Sequence, residues 1–118
     1  ILTKTESPTA LYSTNTLHIV CDNNQKLMAR IVSQFSSEMP RNVDLLLQYL
    51  MEQKKLDLKN LAHKMLSSSK LFEISTVSHV LEQISENTNE FYAHTEKAKI
   101  ELSKMKTDVD AVVEQLNG

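Results

Sequence analysis

Glycine occurs once in this 118-residue chain, as the terminal Gly118. Loops that cradle a phosphate need glycine where the backbone must approach the ligand closely, so Walker-type and dinucleotide-binding chemistry is excluded. Tight hairpins favour Asn-Gly, Asp-Gly or Gly-X turns, and the one such pair, Asn117-Gly118, is terminal and cannot join two strands. A sheet protein is therefore not expected, and the fold class that remains is all-α.

Apolar spacing supports that class. A short amphipathic turn at 15–21 buries Leu17, Val20 and Cys21, and Asp22 and Asn23 are placed to cap the helix that follows. From 23 to 53 one stripe runs through Met28, Val32, Phe35, Met39, Val43, Leu46 and Leu50 in steps of three and four. Pro40 lies inside it, and an interior proline removes a hydrogen bond and crowds the carbonyl of Ser36, so a kink or a break near Glu38 is expected. A third helix, 57–70, turns Leu58, Leu61, Ala62 and Met65 inward, and a fourth, 75–87, buries Val77, Val80, Leu81 and Ile84. Asn87 or Thr88 caps a single last helix with a seam of Phe91, Thr95, Ala98, Leu102, Met105, Val109, Val112 and Leu116. Short connections make such helices antiparallel neighbours. The expectation is an up-down four-helix bundle with a short N-terminal lid helix, spanning residues 14–118, with 1–13 as a linker or arm.

Several function classes fall away on composition. Thirteen basic against fifteen acidic residues leave a formal charge of −2; no basic stripe interleaved with aromatics appears, so nucleic acid is not an expected partner. Cys21 is alone, which rules out an internal disulfide and a C-x-x-C site and points to a reducing, cytoplasmic setting. The apolar cluster from Leu45 to Met51 is interrupted by Gln48 and is far too short to span a bilayer, so no membrane contact is expected of this domain. No signal peptide is recognisable. A chain beginning at Ile1 reads as a piece of a longer protein, which could itself be membrane-anchored. His18, His79 and His94 lack a His-x-x-x-His partner, and His79 with Glu82 is only an i, i+3 coincidence, so no metal site is expected. The core stripes carry no carboxylates, which argues against a bundle built around a metal or cofactor.

One histidine is placed differently. At about 100° per residue, His63 falls on the side of its helix opposite Leu61 and Met65 and should face water. Lys59, Leu66, Ser67 and Lys70 share its face at spacings of three, four and seven. Cations thus flank an exposed imidazole, and the small side chains of Ser67 and Ser68 leave room for another protein's backbone. The run Leu61-Ala62-His63-Lys64-Met65-Leu66-Ser67-Ser68-Ser69 resembles the signature of the histidine-containing phosphotransfer (HPt) domain, in which Ala-His precedes a Lys-Gly-Ser-Ser-like stretch. Leu27 to Phe35 with Glu38 and Pro40 is similar to that family's apolar-Phe-acidic-Pro helix, and Ile74 to Glu82 to its Gly-apolar-to-Leu-Glu helix. The likeness covers residues 15 to 117 and is strongest to HPt modules attached to bacterial hybrid sensor kinases.

The resemblance implies a role. His63 would accept a phosphoryl group from the aspartate of one response-regulator receiver domain and pass it to another, in a two-component phosphorelay. The domain would bind no cofactor, magnesium would sit on the receiver, and ATP-dependent kinase activity would belong to the parent protein. The family's usual lysine three residues after the histidine is Leu66 here, and its usual glycine four residues after is Ser67. Lys64 and Lys70 would supply the positive field, and Gln34 or Glu38, Glu38 in preference, would hydrogen-bond the imidazole. Leu27, Ile31, Leu66, Lys59 and Ser67 would form the receiver-docking patch, with Leu66 exposed. The rival expectation is a non-catalytic helical adaptor that assembles through the seam of the last helix. A phosphotransfer module spends that seam within one chain and is a monomer; an adaptor dimerises.

Overall fold

A chain with almost no glycine can still stop its helices, and it does so with polar residues in the left-handed region. The computed structural model describes residues 11–117, and among these there are six helices and no strand: α1 (Asn15–Val20), α2 (Gln25–Met51), α3 (Lys55–Leu71), α4 (Ser75–Glu86), α5 (Thr88–Ala93) and α6 (Thr95–Asn117). After α1, α2 and α3 the chain turns through positive φ at Asp22 and Asn23, at Gln53 and at Glu73. Each turn closes with the paired bonds of a Schellman motif. The N–H groups of Lys54 and Gln53 donate to the carbonyls of Tyr49 and Leu50, those of Ile74 and Glu73 to Ser69 and Lys70, and those of Asn23 and Asp22 to His18 and Ile19. Left-handed backbone costs a residue with a Cβ roughly 1–2 kcal/mol. Gln53→Gly is therefore expected to raise stability by about 1 kcal/mol, read as a shift in the urea midpoint.

Three local expectations give way. Asp22 and Asn23 lie in the turn and do not cap α2; Asn24 does, its side chain accepting from the Leu27 N–H at 3.1 Å. Pro40 does not break α2, which runs unbroken from Gln25 to Met51. Burial of Met39 and Val43 on either side of the proline holds the helix together, and packing of an apolar face ordinarily outweighs local propensity. The last helix, by contrast, is two: His94 forms a turn between α5 and α6, although the seam continues across it.

The packing follows from the apolar faces. α2 lies against α3 and α6, α4 lies against α3 and α6, and α5 touches α3, α4 and α6. The core takes Phe35, Met39, Val43, Leu46 and Leu50 from α2, Leu58, Ala62 and Met65 from α3, Val77, Leu81 and Ile84 from α4, and Ala98, Leu102, Met105, Val109 and Val112 from α6. Met28, Val32, Leu61, Val80 and Leu116 are only partly buried against it. Phe72 and Ile74, in the connection between α3 and α4, are fully buried and belong to the core as much as any helical residue. Ser69 is also fully buried, and its hydroxyl is satisfied by the Ile74 carbonyl at 3.2 Å and the Ser78 hydroxyl at 2.7 Å.

The N-terminal segment is tied to that same connection. Of the expected arm, residues 1–10 lie outside the described residues; Leu11 and Tyr12 pack on the core, and the Ser13 N–H donates to the Phe72 carbonyl at 2.9 Å. α1 buries Leu17 and Cys21, but Val20, expected inside, is 62% exposed. The Glu73 carboxylate accepts from the Thr16 backbone N–H at 3.2 Å and from its hydroxyl at 3.1 Å. The backbone N–H, then the hydroxyl, hold the Glu73 carboxyl below the ordinary carboxylate range. A lowered folded-state value means that this clamp contributes above the ordinary range and is lost as pH falls through the lowered value. Glu73→Ala is accordingly expected to speed labelling of the buried Cys21 thiol by a pyridyl disulfide, an effect that fades as acid also opens the wild-type clamp.

Candidate functional site

The site is set by how α3 is rolled. Leu58, Ala62, Met65 and Ser69 face inward, and at about 100° per residue that leaves His63 on the solvent side. The structure places His63 there: it is exposed, and so are Lys59, Lys64, Ser67 and Lys70. Side chains of a helix lean toward its N-terminus. That rule directs the imidazole over the turn carrying Lys59 and Asn60, and Ser67 toward the ring from the turn after it.

The residues expected around the ring divide between two sides of α3. Lys64, about 100° round from His63, lines a groove of about 250 Å³ between α2 and α3, together with Ser68 and Leu71 from α3 and Ile31, Gln34 and Glu38 from α2. The Gln34 amide donates to the Glu38 carboxylate one turn on, at 3.2 Å. These two side chains bond to each other; among the described residues neither hydrogen-bonds the His63 ring. On the opposite side Lys70 reaches α4, its ammonium 3.7 Å from the Glu82 carboxylate. Both partners are largely solvated, so the pair adds little stability, but it draws the Lys70 charge toward α4.

The apolar members also separate. Leu27 is 38% exposed at the start of α2, whereas Ile31 and Leu66 are partly buried and pack on the core. Leu66 was expected to share the exposure of His63. It lies about 60° round the helix from His63, close enough to the buried face to pack against the core. Ser68 is exposed and lines the groove, whereas Ser69 turns inward and donates to the Ile74 carbonyl. The structural residues that spacing missed, Phe72 and Ile74, sit where the α3 period has ended, so no stripe could reveal them.

What remains at the surface is an unobstructed imidazole with a hydroxyl-bearing residue on one flank, lysines within two turns, and no hydrogen-bond partner for the ring among the described residues. No group of three or more His, Cys, Asp or Glu residues fit to hold a metal occurs among them, and none of their helices is long and apolar enough to cross a membrane. The chain matches no family model, no curated protein and no solved structure.

Proposed function

We propose that the chain is a phosphorelay intermediate of the HPt type, with His63 as the phosphoryl-accepting residue. The carrying observation is the exposure of His63 on the outward face of α3, in the middle of the run that resembles the HPt signature. The reading includes the architecture of that family: α2, α3, α4 and α6 as an antiparallel four-helix bundle and α1 as its lid. The pairwise packing of those four helices supports it.

The chemistry asked of the domain is small. An imidazole nitrogen attacks the phosphorus of an aspartyl phosphate on a receiver domain; the P–O bond to the aspartate breaks, the carboxylate leaves, and the ring proton passes to solvent. Onward transfer is the reverse step with a second receiver. Phosphoryl transfer is chiefly alignment and electrostatics, and the receiver would bring magnesium and most of the transition-state charges. This domain supplies a nucleophile held on a rigid helix with open approach. The α2–α3 groove, with Leu27 at its N-terminal end, is the docking surface of this reading, and the Gln34–Glu38 pair acts on its rim.

Incubation with a phosphorylated receiver tests the proposal. Radiolabel should move to this chain as an acid-labile, base-stable phosphoramidate and should be absent from His63→Gln; label that persists in that variant would place the chemistry elsewhere. Against the adaptor reading stands the fate of the last seam, since Ala98, Leu102, Met105, Val109 and Val112 are all spent inside the chain. Light scattering at micromolar concentration should return the 13.4 kDa monomer; a dimer would favour the adaptor.

A further inference from the structure

The lysines of α3 are not equivalent. Lys70 is engaged with Glu82 on α4. Lys55 donates to the Asn89 side chain at 3.3 Å and lies over the Tyr92 ring. Lys64 is turned into the α2–α3 groove, which it shares with Glu38. Lys59 is exposed, and among the described residues it makes no ion pair and no hydrogen bond. It stands one turn before His63, about 40° round the helix and within the 5–6 Å that separates Cβ atoms at this spacing. The N-terminal lean of helical side chains carries the imidazole over that turn. Glu86 at the end of α4 and Glu90 of α5 line an open groove with it, and neither pairs with it.

Resting on the phosphotransfer reading, we propose that Lys59 is the cation that binds the phosphoryl group on His63. The role belongs to Lys59 because its turn precedes the ring on the same face, while Lys70 is directed to Glu82 on α4 and Lys64, though unpaired among the described residues, lies about 100° round the helix in the α2–α3 groove. Lys59 then does more than dock a receiver: it contacts the oxygens of the transferred group and stabilises the dianion both as it arrives and while it stays. Lys70 contributes less because it stands about two turns from His63 rather than one, with its ammonium directed toward Glu82.

Two phosphoryl donors separate these roles. Phosphoramidate has no docking surface; in its reaction the donor P–N bond breaks, a bond from phosphorus to an imidazole nitrogen forms, and the ring proton leaves with ammonia as ammonium. Labelling of His63 by phosphoramidate should fall roughly fivefold in Lys59→Gln, the phosphohistidine should hydrolyse faster, and Lys59→Arg should restore both. Lys70→Gln should change either by less than about twofold, and the Lys59 effect should shrink as salt is raised, which a merely structural loss would not show. A fall confined to the phosphorylated-receiver donor would make Lys59 a docking residue and overturn the assignment, as would equal effects of Lys59→Gln and Lys70→Gln. Wild-type protein that takes no label on His63 from either donor would sink the phosphotransfer reading itself. Label on His63 that is indifferent to Lys59 would leave that reading standing and remove only this one.

Discussion

Phe72→Ala is expected to cost about 3–5 kcal/mol of stability, the range for deleting a buried aromatic ring, and to lower the thermal midpoint by roughly 10–20 °C. The ring is fully buried and stacks at a tilt on Phe35 with centroids 4.4 Å apart, one of them from α2 and the other from the end of α3. Such aromatic pairs add to the burial of their area. The backbone of the same residue closes α3 by donating to the Ser68 carbonyl and holds the N-terminal segment by accepting from Ser13. One side chain thus sits where α2, α3 and the α1 segment converge, and removing it leaves a void that rigid neighbours cannot fill. With total stabilities of about 5–15 kcal/mol usual for domains, the variant would be close to unfolding. Urea unfolding followed by circular dichroism measures the loss. A cost under about 1 kcal/mol would mean that the junction collapses around the gap and that the ring does not anchor it.

The same junction marks the boundary of what could be read from residues alone. Where a helix is long and faces one core, its period predicts burial well: Phe35, Met39, Val43, Leu46 and Leu50 lie where their spacing puts them. Phe72 and Ile74 were invisible because burial there depends on two helices meeting, which no local period encodes. Positive φ at Gln53 and Glu73 was equally hidden, since propensity assigns that conformation to glycine and α2 and α3 end without any. Of the kink or break expected at Pro40, the break does not occur, because its local cost is real but smaller than the packing on both sides of it. His94 shows that an uninterrupted seam does not guarantee an uninterrupted helix; residues can keep their register on the core while the backbone turns between them.

At the candidate site the division is similar. The outward direction of His63 follows from the roll of its own helix and was legible. The half-burial of Leu66, the capture of Lys70 by Glu82 and the mutual bond of Gln34 and Glu38 depend on where α2 and α4 lie, and spacing along α3 carries no information about that. Spacing therefore located the imidazole and grouped around it side chains that tertiary packing then distributes over two sides of α3. Lys59 remains exposed one turn before His63 and unpaired among the described residues.

Ser67→Glu should lower transfer from a phosphorylated receiver on the order of a hundredfold while leaving the helical fold intact. Ser67 is exposed one turn after His63, and a side chain there leans back toward the ring. A glutamate would hold its carboxylate where the aspartyl phosphate has to enter. Like charges brought together at an interface cost several kcal/mol, and each 1.4 kcal/mol is about tenfold. The backbone has no reason to suffer, since glutamate is a better helix former than serine and the position is solvated, so the circular dichroism spectrum and thermal midpoint should be nearly unchanged. Ser67→Ala separates the causes: if the hydroxyl itself were needed, alanine would slow transfer too, whereas repulsion predicts near wild-type rates for alanine and partial recovery of the glutamate variant at high salt. Transfer undiminished by glutamate would mean that the donor approaches His63 from the Lys59 side alone, and the docking surface would then have to be moved from the α2–α3 groove toward α4.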